Sequence, residues 1–376
     1  MERWQAIYRL TGSEAETRAK AADICLEQTV ELPDDLVTDA AVREHVLGRV
    51  EWFRAGGPGV FEAAVSFSAS IASDDLPQLL NVAFGNISLK PGIRLERLDL
   101  PDGMLRGFKG PRFGREGLRA RLNVHGRALL CTALKPMGLA ATALADLAYR
   151  LALGGIDIIK DDHGLADQDF CPFDERVGRC VEAVERANRE TGLNCIYIPN
   201  VTAPADRLLD RALFARRAGA GGLLISPGLT GLDAMRRLTD DDRVCLPIMA
   251  HPALQGSFVV NAAEGISHSA IFGQINRLAG ADASIFPNYG GRFGFTPEDC
   301  RRLMDGATSP MGHVKPIFPT PAGGMSLDRV PEMCEMYGCD AIFLIGGGLH
   351  RFGPDLVENC REFGRRVAQN AVSVEA

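Results

Sequence analysis

The stretch Ile158-Ile159-Lys160-Asp161-Asp162-His163 decides the fold. A short apolar, β-branched run ends there in a knot of ionisable residues. Eight runs of this kind follow one another, at 129–135, 157–162, 195–201, 221–226, 245–251, 283–287, 314–319 and 341–345. Between them lie Ala-, Leu- and Arg-rich stretches of helical spacing, such as Ala141–Leu153 and Ala205–Ala218. Eight strand–helix repeats over about 250 residues predict a (β/α)8 TIM barrel. An open doubly wound sheet gives the same local pattern, and the count of eight favours the barrel. In such a barrel the C-terminal strand ends form the active-site rim.

Each strand end then offers candidates. The first carries Lys135-Pro136, the second Lys160, Asp162 and His163, the third Asn200 and Thr202, and the fifth His251. The sixth leads into Asn288-Tyr289-Gly290-Gly291-Arg292-Phe293-Gly294, the seventh into Gly323-Gly324 and the eighth into Gly346-Gly347-Gly348. Lys160 and Asp162 are two apart and share one strand face, with Asp161 on the other. A buried lysine loses its charge readily, and a neutral amine can add carbon dioxide. The resulting carbamate, beside a carboxylate, supplies the oxygen ligands Mg²⁺ prefers. A structural Lys–Asp ion pair is the alternative. Lys135 ends a buried strand, where a charge needs a partner or a task. A bridge to Asp157 or Asp162 would satisfy it. His251 suits acid–base work near neutral pH, or is a satisfied polar residue. The paired glycine clusters leave backbone N–H groups open to a phosphate, unless they only make tight turns.

Residues 1–115 read as an α+β domain joined to a barrel domain over 116–376. Residues 4–10 alternate as a strand, Glu14–Glu27 is Ala-rich and helical, and 60–70 and 80–88 read as further strands, with a turn at Gly85-Asn86. The Gly/Pro-rich run 106–114 marks the boundary. The 376 residues are 46% hydrophobic and 24% charged, ordinary for a globular enzyme. A net charge of -7 argues against a nucleic-acid groove. No run approaches the roughly 20 apolar residues of a membrane span, and Met1-Glu2-Arg3-Trp4 does not open a signal peptide. The ten cysteines contain no C-x-x-C pair and read as reduced core residues of a cytoplasmic protein.

The order of these motifs resembles the RuBisCO large-subunit family, and more narrowly the RuBisCO-like proteins that lack carboxylase activity. The likeness runs through Tyr8-Arg9, Glu27, Gly85-Asn86, Phe108-Lys109-Gly110-Pro111, Leu134-Lys135-Pro136-Met137-Gly138-Leu139, 154–162, Asn200-Val201-Thr202-Ala203, Gly323-Gly324 and Gly346-Gly347-Gly348. It implies a ferredoxin-like α+β domain ahead of the barrel. It implies that Lys135 moves protons on an enolised substrate. By the same likeness Lys160 is the carbamylated metal-binding lysine and Asp162 a metal carboxylate. His251 lies near the substrate, and Gly323, Gly324, Gly346 and Gly347 contact phosphate. Glu27 and Asn86 match residues that reach a neighbouring subunit's barrel, which implies a homodimer with shared active sites.

The departures point away from ribulose bisphosphate carboxylation. His163 stands where a second metal carboxylate is expected, and nitrogen shifts preference toward softer cations. It is a candidate for metal binding or for acid–base catalysis. Met137 replaces a lysine, Pro252 replaces an arginine beside His251, and Leu32-Pro33 replace a Thr-Trp pair. Arg292 occupies the loop that carries the carbon-dioxide-orienting lysine, and a guanidinium is no proton donor. What remains is machinery for an enediolate. The expectation is an enzyme that enolises a phosphorylated keto-sugar or keto-acid with a divalent cation. A decarboxylase or C–C cleaving enzyme on a 3-oxo sugar-acid phosphate is the alternative, and a non-catalytic dimeric regulatory protein is the reading from another class.

Overall fold

A computed structural model describes residues 2–371. The N-terminal sheet is built from β1 (Arg3–Thr11), β2 (Arg49–Gly57), β3 (Val60–Ser68) and β4 (Ile93–Asp99). Their order is β4-β1-β3-β2, with each neighbouring pair antiparallel. With helices Glu14–Glu27 after β1 and Leu76–Phe84 after β3, this is the β-α-β-β-α-β ferredoxin-like arrangement. Ser13 starts the first helix with a reciprocal capping box to Glu16. Trp4, Tyr8 and Leu10 alternate along β1 and are buried with Ile24 of that helix.

Residues 80–88, expected to be a strand, are not one. Leu76–Phe84 is helical, followed by a short 3-10 turn at Asn86–Leu89. Asp75 caps the helix by accepting from the Gln78 N–H at 3.0 Å, and Pro77 sits in its first turn. Leu76, Leu79, Val82 and Ala83 then bury one helical face. Gly85 ends it, as the expected turn requires, because a Cβ there would meet the Asn81 carbonyl oxygen at 2.5 Å. Strands β2 and β4 escaped the sequence reading. In β2 almost nothing is buried, so it lacks the hydrophobic alternation that marks a strand.

The eight barrel strands are β5 (Leu129–Leu134), β6 (Ile158–Asp161), β7 (Ile196–Ile198), β8 (Leu223–Ile225), β9 (Ile248–Ala250), β11 (Ala283–Pro287), β12 (Phe318–Ala322) and β13 (Ile342–Leu344). They form two parallel sheets, β13-β5-β6-β7 and β8-β9-β11-β12. Asn200 bridges to Leu224 along one seam, with Val201 N–H donating to the Leu224 carbonyl at 2.9 Å. At the other seam β12 lies against β13. The chain is thus a ferredoxin-like α+β domain followed by a TIM barrel. The seventh strand begins at Phe318 rather than 314, and it contains Pro319 and Pro321, which disguise a strand in sequence. A two-residue strand β10 (Gly265–Ile266) leaves the barrel half and pairs in parallel with β4. We propose the domain division near residue 115, where Phe113 and Gly114 N–H groups donate to buried Asp282 at 2.8 and 2.6 Å. No helix among the described residues is long and apolar enough to cross a membrane.

Two separate apolar clusters reveal the strand alternation. Leu129, Cys131, Ile158, Ile196, Ile198 and Met249 pack in the barrel lumen, whereas Leu130, Ile159 and Tyr197 pack outward under the helices. On β6 the lumen row is Ile158 followed by Lys160, and the outward row is Ile159 followed by Asp161. Asp161 is fully buried. It accepts from the Tyr197 hydroxyl at 2.6 Å, the Asn200 N–H at 2.9 Å and Arg176 Nε at 3.1 Å. Arg176, equally buried on helix Phe173–Thr191, locks the strand end to the helical layer. Replacing Arg176 by Met leaves a buried carboxylate short of its counter-charge. The expected loss is about 3 kcal/mol of unfolding free energy, read from urea denaturation. An unchanged midpoint would contradict it.

Candidate active site

The lumen rows of β5 and β6 deliver Lys135, Lys160 and Asp162 to one cavity of about 1230 Å³ at the barrel mouth. Lys135 Nζ donates to Asp162 Oδ1 at 2.8 Å, and His163 Nδ1 lies 3.2 Å from the same oxygen. Of the two bridges offered to Lys135 by sequence, the Asp162 one forms. Asp157 instead takes a fork from Arg127 at 2.7 and 2.9 Å. Burial works to raise the Asp162 pKa, but the His163 and Lys135 contacts outweigh it and hold the carboxyl below the usual range.

Lys160 is buried and donates to the Asp161 carbonyl at 3.0 Å. It makes no ion pair with a carboxylate among the described residues. Burial, with a smaller contribution from the Lys135 charge, pushes its pKa down and enlarges the neutral amine fraction. His163 stacks on His251, ring centroids 4.5 Å apart and 12° from parallel. Burial, then the Lys160 charge, pushes His251 down to about 2, so its ring is neutral at physiological pH. Its Nδ1 accepts from the Ala253 N–H at 3.2 Å, which leaves the proton on Nε2.

The other candidates divide. Gly323, Gly324, Gly346, Gly347 and Arg292 line the same cavity. A Cβ on Gly346 would sit 3.7 Å from Lys135 Cε, so that backbone lies against the lysine. Gly323 and Gly324 have φ of +77° and +80°, and a Cβ on Gly323 would meet Phe293 Cε2 at 2.9 Å. The Arg292 guanidinium lies over the Phe293 ring at 4.9 Å. Asn200 is not part of the lining. It is buried, and its amide donates to the His163 and Leu165 carbonyls at 3.0 and 2.8 Å. It holds the loop that carries His163. Glu27 and Asn86 lie away from this cavity, hydrogen-bonded to each other at 3.1 Å. The cavity also contains Arg351 and Asp328, which sequence reading passed over. Both follow the glycine turns in helical segments, where a charge reads as solvated surface.

This geometry agrees with what the chain is similar to. Residues 114–289 match the ribulose bisphosphate carboxylase large chain catalytic domain. Ribulose bisphosphate carboxylase-like protein 1 of Rhodopseudomonas palustris is 41% identical over 369 residues, 98% of each chain. This chain belongs to the RuBisCO-like protein family. A 5-methylthioribulose-1-phosphate isomerase of Rhodospirillum rubrum is also 41% identical, covering 98% of this chain and 96% of that one. The crystal structure of a Rubisco-like protein from Rhodopseudomonas palustris superposes with a TM-score of 0.89 at 36% identity, covering 100% of both chains.

Because the folded-state pKa of Asp162 is depressed, its contribution to stability is present above the unfolded carboxyl pKa of about 3.9 and fades as pH falls through the lower folded value. The urea midpoint of Asp162→Asn should therefore approach that of the parent as pH is lowered from about 5 toward 3. A gap that stays constant across this range would show that the contacts do not hold the carboxylate.

Proposed function

We propose that this RuBisCO-like protein is an enolising isomerase of a small keto-sugar phosphate, of the methylthio-sugar kind named for the Rhodospirillum rubrum relative. The observation that carries the reading is the convergence of Lys135, Lys160 and Asp162 on one cavity beside the Gly346 backbone. A base next to a bound carbonyl compound removes the adjacent proton and gives an enediolate. Returning a proton at the neighbouring carbon completes an isomerisation.

Lys135 is the base in this scheme. It acts only with its amine unprotonated and free of Asp162, and the Gly346 backbone beside it leaves room for substrate. His251 donates from neutral Nε2 to a substrate oxygen, in the manner of an oxyanion-stabilising group. The glycine backbones at the ends of β12 and β13 hold the phosphate.

A divalent cation fits these residues once Lys160 carries carbon dioxide. Among the described residues no three His, Cys, Asp or Glu side chains make a ready metal site, so the carbamate must supply the missing oxygens. The lowered pKa of Lys160 favours that addition. Carbamylated Lys160, Asp162 and His163 would hold Mg²⁺ or a somewhat softer ion. Such an ion supplies Lewis-acid polarisation of the carbonyl.

The reading includes a homodimer in which Glu27 and Asn86 complete the partner's cavity, since neither lines the cavity of its own chain. A half-buried polar group supports this: Lys90 Nζ bonds Glu27 and Asp23 at 3.0 and 2.6 Å, and the exposed Asn86 bonds Glu27.

The test follows solvent deuterium into 5-methylthioribulose 1-phosphate with Mg²⁺ and bicarbonate present. The purified protein should exchange the proton next to the carbonyl. Lys135→Met should slow this by at least about 100-fold. Undiminished exchange in that variant, or none in the parent, would refute the reading. If the site is shared, mixing Lys135→Met with Glu27→Gln subunits should restore part of the activity that each has lost. Strict additivity of the two inactive preparations would argue against the shared site.

A further inference from the structure

The segment 251–264, between β9 and β10, forms one wall of the catalytic cavity. Its near end is fixed at β9, where the His251 N–H donates to the Ile225 carbonyl at 2.8 Å. Its far end is bolted to the N-terminal domain of the same chain. Strand β10 pairs with β4, the Ser267 hydroxyl donates to the Glu96 carbonyl at 2.6 Å, and the Gly92 N–H donates to Glu264 Oε2 at 3.2 Å. Between these anchors lies one short helical turn, Gly256–Val259.

The middle of the segment has little packed behind it. A second cavity, of about 490 Å³, is lined by Arg9, Arg94 and Glu96, and Val259 and Val260 line both cavities. Val260 is 73% exposed. Close packing cannot hold a side chain that has open space on two sides. Polar tethers stand in its place. Arg94, itself buried on β4, crosses the gap. Its Nη1 donates to the carbonyls of Val259 at 3.4 Å, of Asn261, and of Glu264 at 3.1 Å. Two of those carbonyls flank Val260. Arg9 on β1 adds a further tether, from Nη2 to the Ala262 carbonyl. Glu96 Oε1 lies 3.0 Å from Arg9 Nε and 3.5 Å from Arg94 Nε, which balances charge on the domain side of the gap.

We infer that Arg94 is a positioning residue: through the carbonyls on either side of Val260, the N-terminal domain sets the width of its own chain's catalytic cavity. Arg94 touches no reacting group. With the tethers cut, the wall swings back into the second cavity and grips a ligand less firmly. Lys135 and Lys160, delivered by β5 and β6, stay where they are. The kinetic consequence rests on the enolisation reading, and the change in the wall itself does not.

Amide hydrogen exchange of the full chain, read by mass spectrometry, tests this. The Phe258 and Val260 N–H groups donate to the Gln255 and Gly256 carbonyls at 3.1 Å, and the Ala263 N–H donates to Asn261 Oδ1 at 2.9 Å. These amides report whether the segment opens. Arg94→Met should speed exchange over 256–264 by about tenfold and leave β5 and β6 as in the parent. Arg94→Lys, whose ammonium offers three donors, should restore most of the protection. Arg9→Met removes one tether from a partly exposed position. It should loosen the same segment by less, and it decides the matter if Arg94→Met does not fold. In turnover of 5-methylthioribulose 1-phosphate, Arg94→Met should raise KM about tenfold and keep kcat within about twofold of the parent. The inference is overturned if the segment exchanges as in the parent in both Met variants, if exchange rises equally along the whole chain, or if kcat falls with KM unchanged. A parent that turns over no such phosphate loses the proposed reaction, and the amide exchange alone then decides this inference.

Discussion

The period-two alternation of β6 is the constraint on which the rest depends. Four consecutive ionisable residues follow Ile159, and a strand must send neighbours to opposite faces. Asp161 goes outward to Arg176 and Tyr197, in full burial, and those bonds fix the strand end. Lys160 therefore has to point into the lumen, above Ile158. A slip of one residue would send Asp161 to the lumen and set Lys160 against the like charge of buried Arg176. The ion pair outside the barrel thus sets the chemistry inside it.

The lumen then does two things to these groups. It strips water from Lys160 and lowers its pKa, and it gathers Lys135 and His163 onto a single oxygen of Asp162. Asp162 faces several basic groups, and the cavity's other carboxylate, Asp328, is paired with Arg366. On the proposed function, an anionic substrate or a carbamate would supply the missing negative charge. His163, in the place of a second carboxylate, deepens the shortage and stacks on a neutral His251.

Much of this was legible in the sequence because strand-end chemistry obeys simple rules. Charged residues ending apolar runs, and glycine pairs after two strands, located the cavity mouth without a structure. Where the reading failed, local signals were ambiguous. The helix Leu76–Phe84 is apolar enough to pass for a strand, and its Asp75 cap was overlooked. Strand β12 hides behind two prolines. Asn200 sits at a strand end like a ligand-binding residue, yet its amide is consumed by the carbonyls of the loop bearing His163. No pattern announces that, since it depends on how a loop folds back.

The proposed chemistry depends most directly on the state of Lys160. Nuclear magnetic resonance of the protein equilibrated with ¹³C-labelled bicarbonate and Mg²⁺ reads it, with Lys160→Arg as the control. A carbamate carbon resonance is expected in the parent and absent from the variant. A parent spectrum indistinguishable from that of Lys160→Arg would contradict it.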